Sequence, residues 1–251
     1  MSTKLSAARD VGVQSYCFRN FKDNAVVAEK VKSIGLSKIE LCRVQADFDK
    51  PEEFDAVAAT YKKAGVEIVS IGVETFKGDA ARERKWFECA KKAGAKFISA
   101  HFTVDTFREA VPVVMKLSDE FGIKIAIHCH GGYMFGGSAD VLEYLLKISG
   151  PQIGINIDTA WCMQTGRGNP VEWAKKFAPR IYGIHYKDFT FDRAAKWKDV
   201  VIGTGNLDLP GMVKALEETS FSGFAVIEYE GDADKPEPAL KECVDVFRAL
   251  K

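Results

Sequence analysis

A short unit recurs along this chain: an amphipathic stretch ending in a basic or polar residue, one glycine, then an apolar run. It reads KSIGLSKIEL, KKAGVEIVSI, KKAGAKFISA and DEFGIKIAIH, with glycines at Gly35, Gly65, Gly94 and Gly122, successive steps of 30, 29 and 28 residues. A glycine just past a helix end adopts the left-handed C′ conformation without a Cβ penalty, so each unit predicts helix, turn and strand in that order. Parallel strands cannot be joined by a tight hairpin and need a crossover of a dozen or more residues, usually a helix. Helix and strand alternating at this period are the βαβ repeat of a parallel sheet.

Eight strands are expected, near Val11–Tyr16, Lys38–Cys42, Glu67–Val73, Lys96–His101, Lys124–Cys129, Gly154–Asp158, Ile181–Tyr186 and Phe224–Tyr229. Each is an almost continuous apolar run, as a strand covered on both faces requires. Helices are expected between them, such as Asp79–Ala93 and Val104–Phe121, with a last one near Glu237–Leu250. Eight such units in 251 residues suit one (β/α)8 TIM barrel over residues 1–251. An open doubly wound sheet fits less well, because the first strand-to-helix turn carries no G-x-G-x-x-G.

Composition excludes several classes. Lys+Arg and Asp+Glu are equal at 35 each, so bulk charge favours neither nucleic acid nor an anionic membrane as partner. No apolar run approaches the ~18 residues of a membrane span. The N-terminal MSTKLSAARD lacks the apolar core of a signal peptide, so a cytoplasmic location is expected unless an export signal has been trimmed. The six cysteines form no Cys-x-x-Cys pair and are expected to be free, buried thiols.

In a barrel of this kind the site lies at the C-terminal ends of the strands. Those ends carry Glu40, Glu74, His101, His128 with His130, Asp158, His185 with Lys187 and Asp188, and Glu228 with Glu230. All four histidines of the chain fall in this set. Residues two apart on a strand share a face, so His128 and His130, His185 and Lys187, and Glu228 and Glu230 are expected to point the same way in pairs. A charged group turned into a barrel is costly unless paired, hydrogen-bonded or metal-bound. Two carboxylates and two imidazoles converging from neighbouring strands suit a divalent ion: Mn, Co, Zn, Fe, Ni or Mg. The blander alternatives are a satisfied core histidine, a salt bridge for Glu40, and Glu228 or Glu230 as partner of Lys187. Trp161 and Tyr133 offer flat faces to a sugar ring, and Arg167, in TGRGNP, is placed to reach the pocket.

At these residues the chain resembles the sugar phosphate isomerase/epimerase family with a xylose isomerase-like barrel, over nearly its whole length from VGVQSYCFRNF to FAVIEYE. The resemblance implies metal ligands on strands five to eight. NID places Asp158, IHYKD places His185 with Lys187 as a substrate-facing neighbour, and AVIEYE places Glu228. Strand five departs from the pattern: many members have Glu-Asn-His, whereas this chain has His128-Cys129-His130, resembling a subgroup with His-x-His-Gly. His128 is the expected fourth ligand, with His130 as its alternative or as a substrate contact. Ketose epimerases of this fold use glutamates on strands five and eight, and here the first is missing. After Asp158, Trp161 stands where relatives often carry a histidine.

The activity implied is that of a metal-dependent isomerase or epimerase acting through an enediolate on a keto sugar or sugar phosphate. Glu228 is the expected proton-transfer carboxylate, His101 or Glu40 its counterpart on the other face, and Lys187 the support for developing oxyanion charge. The alternative is a lyase or dehydratase on a 3-keto-glycoside or inosose-like substrate, which the missing strand-five glutamate favours. A non-catalytic sugar-binding barrel and an abasic-site endonuclease are further readings. The endonuclease requires more histidines and a basic surface. A homodimer is the expected assembly at most.

Overall fold

The computed structural model describes residues 5–132, 134–165 and 168–250; Tyr133 and Arg167 lie outside the described residues. Strands β1 (Gly12–Gln14), β2 (Lys38–Leu41), β3 (Glu67–Phe76), β4 (Phe97–Phe102), β5 (Lys124–His128), β6 (Ile153–Asp158) and β7 (Ile181–Tyr186) follow one another in a parallel sheet. Two further strands, β8 (Asp188–Phe191) and β9 (Trp197–Val200), form a separate antiparallel hairpin. Strand β10 (Phe224–Ile227) pairs with both β7 and β1 and closes an eight-stranded parallel barrel. The expected (β/α)8 architecture is therefore present, with the β8–β9 hairpin as an unforeseen addition.

The repeat glycines behave as their spacing predicts. Gly35, Gly65, Gly94 and Gly122 have φ of 84°, 68°, 74° and 67°. Gly94 and Gly122 cap the helices Ala80–Ala93 and Phe107–Phe121, both a little shorter than expected at their N-termini. Strand β1 is also shorter than expected and passes at Ser15 into a 3₁₀ turn, whereas β3 continues to Phe76 across a register shift. All six cysteines are buried and free. Among the described residues, no helix is long and apolar enough to cross a membrane.

Along each strand the alternate positions stack into the barrel interior. Phe97, Ser99 and His101 rise along β4; Gly154, Asn156 and Asp158 along β6; Phe224, Val226 and then Glu228 along β10. The lowest level is apolar, with Phe97 against Tyr182 and Phe224 at ring-centroid distances of 6.2 and 5.4 Å. Gly183 makes room there, since a Cβ on it would run into the Phe224 ring. Above lies a polar level of Gln14, Glu40, Ser99 and Asn156, all at most 2% exposed. The histidines and carboxylates sit on top, at the C-terminal mouth. The fold thus plugs the barrel below and leaves its polar groups facing one end.

Candidate metal and carbohydrate site

Four strand ends bring His128, Asp158, His185 and Glu228 together. One potential ligand atom from each lies within 4.8 Å of all the others, and all four residues are buried. Register explains the meeting: Asp158 pairs with His185, His128 pairs with Asn156 two residues earlier on β6, and Glu228 directly follows β10.

Local hydrogen bonding leaves ligand atoms of Asp158 and His128 free and turns His185 towards Glu228. Asp158 caps the helix Thr159–Gln164, its Oδ1 accepting from the Trp161 amide at 2.8 Å. Its Oδ2 has no partner and lies 3.5 Å from His128 Nε2. Both ring nitrogens of His128 are likewise buried without a partner. His185 Nε2 bonds Glu40 Oε1 at 2.8 Å, which turns Nδ1 towards Glu228 Oε2 at 3.1 Å. Buried polar atoms normally find partners, so three orphaned atoms in one cluster call for a bound species. Imidazoles and carboxylates are the donors that suit a divalent first-row ion. Such an ion holds ligands at roughly 2.0–2.2 Å, within reach of small side-chain adjustments from this spacing. The residues fit a metal ion.

Charge supports the same reading. Burial raises the Asp158 carboxyl, with Glu228 beside it adding to the effect, to about 7 despite the opposing influence of Lys187 and His185. Burial depresses His128 well below the ordinary histidine value, aided by His185, so it is a neutral imidazole with a lone pair to give. Burial also opposes charge on His185, but Glu40 and Glu228 outweigh it and push the pKa up to about 10. Glu228 is held well below the usual carboxylate range: burial works against ionisation, and Lys187 and His185 overcome it.

Other expected residues take different places. Glu40 does not line the mouth: it is fully buried beneath His185. Its Oε1 accepts from Gln14 Nε2 at 2.6 Å as well as facing His185, and its Oε2 accepts from Ser99 at 2.6 Å. Both oxygens are engaged, which leaves none for a substrate proton. Lys187 is 1% exposed, with its ammonium on Glu230, 3.5 Å from Asp199 and 4.0 Å from Glu228. Glu74 accepts a two-pronged bond from Arg43, both arms at 2.7 Å. His101 does reach the site, its ring 5.2 Å from that of His128, with a buried, unpartnered Nδ1. Burial, reinforced by the other three histidines, lowers its pKa to about 3, so it is neutral. His130 stacks on Trp161 at 4.0 Å instead of joining the cluster.

Several residues at the site escaped sequence reasoning. Gln14, Ser99 and Asn156 form the polar floor, with Asn156 Nδ2 donating to Ser99 Oγ at 3.1 Å. The β8–β9 hairpin brings Trp197 and Asp199 to the mouth; WKDV, apolar at its ends and charged between, carries no alternation to signal a strand. Asp188, noted only as a strand-end residue, holds the following loop by accepting from the amides of Gly203, Gly205 and Leu207, each at 2.9 Å.

The family described as xylose isomerase-like TIM barrel matches residues 28–250. The chain belongs to this xylose isomerase-like family. Among curated relatives, the rhizopine catabolism protein MocC of Rhizobium meliloti is 30% identical over 133 residues, 47% of this chain and 40% of MocC. An inosose dehydratase of Lacticaseibacillus casei is 24% identical over 155 residues, 55% of this chain and 52% of that protein. The matches thus span about half the length of these relatives. The solved 3-keto-D-glucoside 4-epimerase YcjR of E. coli superposes with a TM-score of 0.73 at 15% identity, covering 95% of this chain and 98% of that one. The xylose isomerase-like barrel is thus shared by dehydratases and epimerases, in line with the family resemblance of the strand ends.

Proposed function

We propose that this protein is a metal-dependent enzyme that removes the proton beside the carbonyl of a keto sugar or keto cyclitol and then expels water, as a dehydratase. The observation that carries the reading is the set of orphaned donors on His128 and Asp158 beside His185 and Glu228. A divalent ion held by His128, Asp158, His185 and Glu228 would act as a Lewis acid that polarises the substrate carbonyl.

The protein's own residues divide the remaining work. Glu228 is the ionised carboxylate placed to take the proton. Lys187 keeps Glu228 charged and holds Glu230 in an ion pair. Glu40, through Nε2 of His185, holds that imidazole so that Nδ1 faces the other ligands. His130 and Trp161 wall one side.

Dehydration is favoured over epimerisation because one base suffices. Glu228 takes the C–H proton and returns it to the departing hydroxyl on the same face. The C–O bond breaks, water leaves, and a C=C bond conjugated with the carbonyl remains. Epimerisation needs a second group on the opposite face, and strand five ends in His128 where a glutamate would supply it. The names of the inosose dehydratases support the same choice. Epimerisation is the second reading, and it rests on His101, whose buried Nδ1 is unpartnered.

The test is proton NMR in D2O of the metal-loaded enzyme with 2-keto-myo-inositol. Dehydration consumes the ketone and yields the unsaturated product; epimerisation returns ketone carrying deuterium at the adjacent carbon. Chelation or Asp158→Ala is expected to abolish either reaction. With metal bound, no product and no exchange on this or other keto sugars would overturn the proposal.

A further inference from the structure

The hairpin that follows β7 has no part in closing the barrel, yet it meets the site along two lines of contact. On the aromatic line, Trp197 stacks on Phe189 at 4.7 Å and 16°, and meets Trp161 edge-on at 5.1 Å. Trp161 in turn stacks on His130, whose ring lies 6.0 Å from His128. On the polar line, Asp199 Oδ2 lies 3.5 Å from Lys187 Nζ, and Lys187 lies 4.0 Å from Glu228. Asp199 Oδ2 also accepts from the Glu230 amide at 3.1 Å. Trp197 and Asp199 are two apart on β9 and so share one face of the hairpin.

Two features of this face are unexplained by folding alone. Trp197 is 42% exposed although two aromatic rings, Phe189 and Trp161, pack against it. Asp199 Oδ1 is buried with no hydrogen-bond partner, on a side chain only 9% exposed. An orphaned buried carboxylate oxygen is costly, whereas a hydroxyl presented to it removes the cost. A flat indole beside a carboxylate acceptor is the pairing that recognises a saturated ring bearing hydroxyls. The C–H-rich face of the ring lies on the indole, and an equatorial hydroxyl donates to the partnerless carboxyl oxygen. An open-chain polyol offers no comparable face and must lose several rotors to lie flat.

We propose that the β8–β9 hairpin is a subsite for the ring of a cyclic polyol, a cyclitol or pyranoside, with Trp197 as its platform and Asp199 Oδ1 as acceptor of a ring hydroxyl. The inference rests on the proposed function for the location of the reacting carbon, and it adds that the substrate reacts as a ring. Trp161, by contrast, has His130 stacked on it and serves to lock the hairpin against the site.

The test compares myo-inositol with D-glucitol, which carry the same number of hydroxyls on a ring and on a chain. Each is titrated calorimetrically into wild-type, Trp197→Ala and Asp199→Asn proteins, all loaded with Mn(II). Wild type is expected to bind the ring at least about tenfold more tightly than the chain. Trp197→Ala should weaken ring binding by roughly tenfold, the upper range of an aromatic stacking contribution. Asp199→Asn keeps an oxygen for the Glu230 amide but presents an NH2 at the orphan position, and should weaken ring binding by about tenfold or more. Mn(II) affinity, read in a separate titration, should stay unchanged in both variants. Equal affinity for ring and chain, unchanged ring binding in either variant, or no ring binding by Mn(II)-loaded wild type overturns the subsite. Failure of wild type to bind any divalent ion instead overturns the proposed function on which it rests.

Discussion

Glu40→Gln tests how the buried carboxylate governs the site. In the protein without metal, His185 carries a proton on each nitrogen: Nε2–H donates to Glu40 at 2.8 Å and Nδ1–H to Glu228 at 3.1 Å. A metal ion at this cluster takes the place of the Nδ1 proton, so metal and proton compete. With the His185 pKa near 10, about three pH units separate it from neutrality. At 1.36 kcal/mol per unit, proton competition costs metal binding on the order of 4 kcal/mol at pH 7. Wild-type affinity should therefore rise by at least about tenfold per pH unit, and more steeply below pH 7, where Asp158 must also lose a proton.

Replacing Glu40 by glutamine keeps an oxygen for Gln14 and His185 but removes the charge that stands first among the causes raising His185. Two effects then oppose one another. Loss of a carboxylate partner behind a ligating histidine typically costs 10–100-fold in metal affinity, while the lowered His185 pKa relieves the proton competition. Near neutrality the two partly cancel, so affinity alone is an ambiguous readout. Proton release is not. In calorimetric titrations with Zn(II) at pH 7.5, run in buffers of different ionisation enthalpy, the variant should release about one proton fewer than wild type. Its affinity should also rise less steeply with pH. Equal proton release by the two proteins, with affinity curves parallel from pH 6 to 8.5, would refute the assignment of Glu40 as the group that charges and orients His185.

Four further perturbations probe the frame. Gly94→Ala places a side chain at φ 74° with nothing within 4 Å of its Cβ, so it should cost only the left-handed penalty, about 1–2 kcal/mol by urea unfolding. Gly183→Ala should cost more and also weaken metal binding, because the new methyl displaces Phe224, whose ring lies 6.4 Å from that of His185. Lys187→Met strands three carboxylates around a buried apolar chain and should destabilise the protein by roughly 3–5 kcal/mol. The loss should shrink at pH 5 relative to pH 8, since burial already lifts Asp199 to about 7 and protonation removes its need for a cation. Asp188→Asn turns an amide NH2 towards the backbone donors that Asp188 now accepts from. It should cost about 1–3 kcal/mol and speed hydrogen exchange at Gly203, Gly205 and Leu207; unaltered exchange would refute its role.

What the sequence revealed, and what it concealed, follows from the range over which each feature is determined. The repeat glycines were legible because a helix end is decided within a few residues, and their left-handed φ needs no tertiary information. The strand ends were legible because eight such units must close a barrel and present those ends at one mouth. His128 and His130 were not distinguishable by spacing, since both would face inward on a continuing strand. The strand stops at His128, and His130 leaves on the loop to meet Trp161. The hairpin was hidden because its turn carries no glycine: Asp192 Oδ1 accepts from the amides of Ala194 and Lys196, and Ala195 itself takes φ 60°.

Glu40 marks the deeper limit. Alternation shows that its side chain points inward, but not at what height it stands in the barrel. That height depends on the stagger between strands, which closure sets. Here the stagger places Glu40 of β2 one level below the mouth, level with Gln14 and Ser99 and under a histidine that follows it by 145 residues. A carboxylate that parity alone would offer to the substrate is thereby spent on a ligand. The proton count of metal binding will show the difference, because a carboxylate in contact with substrate would leave that count unchanged.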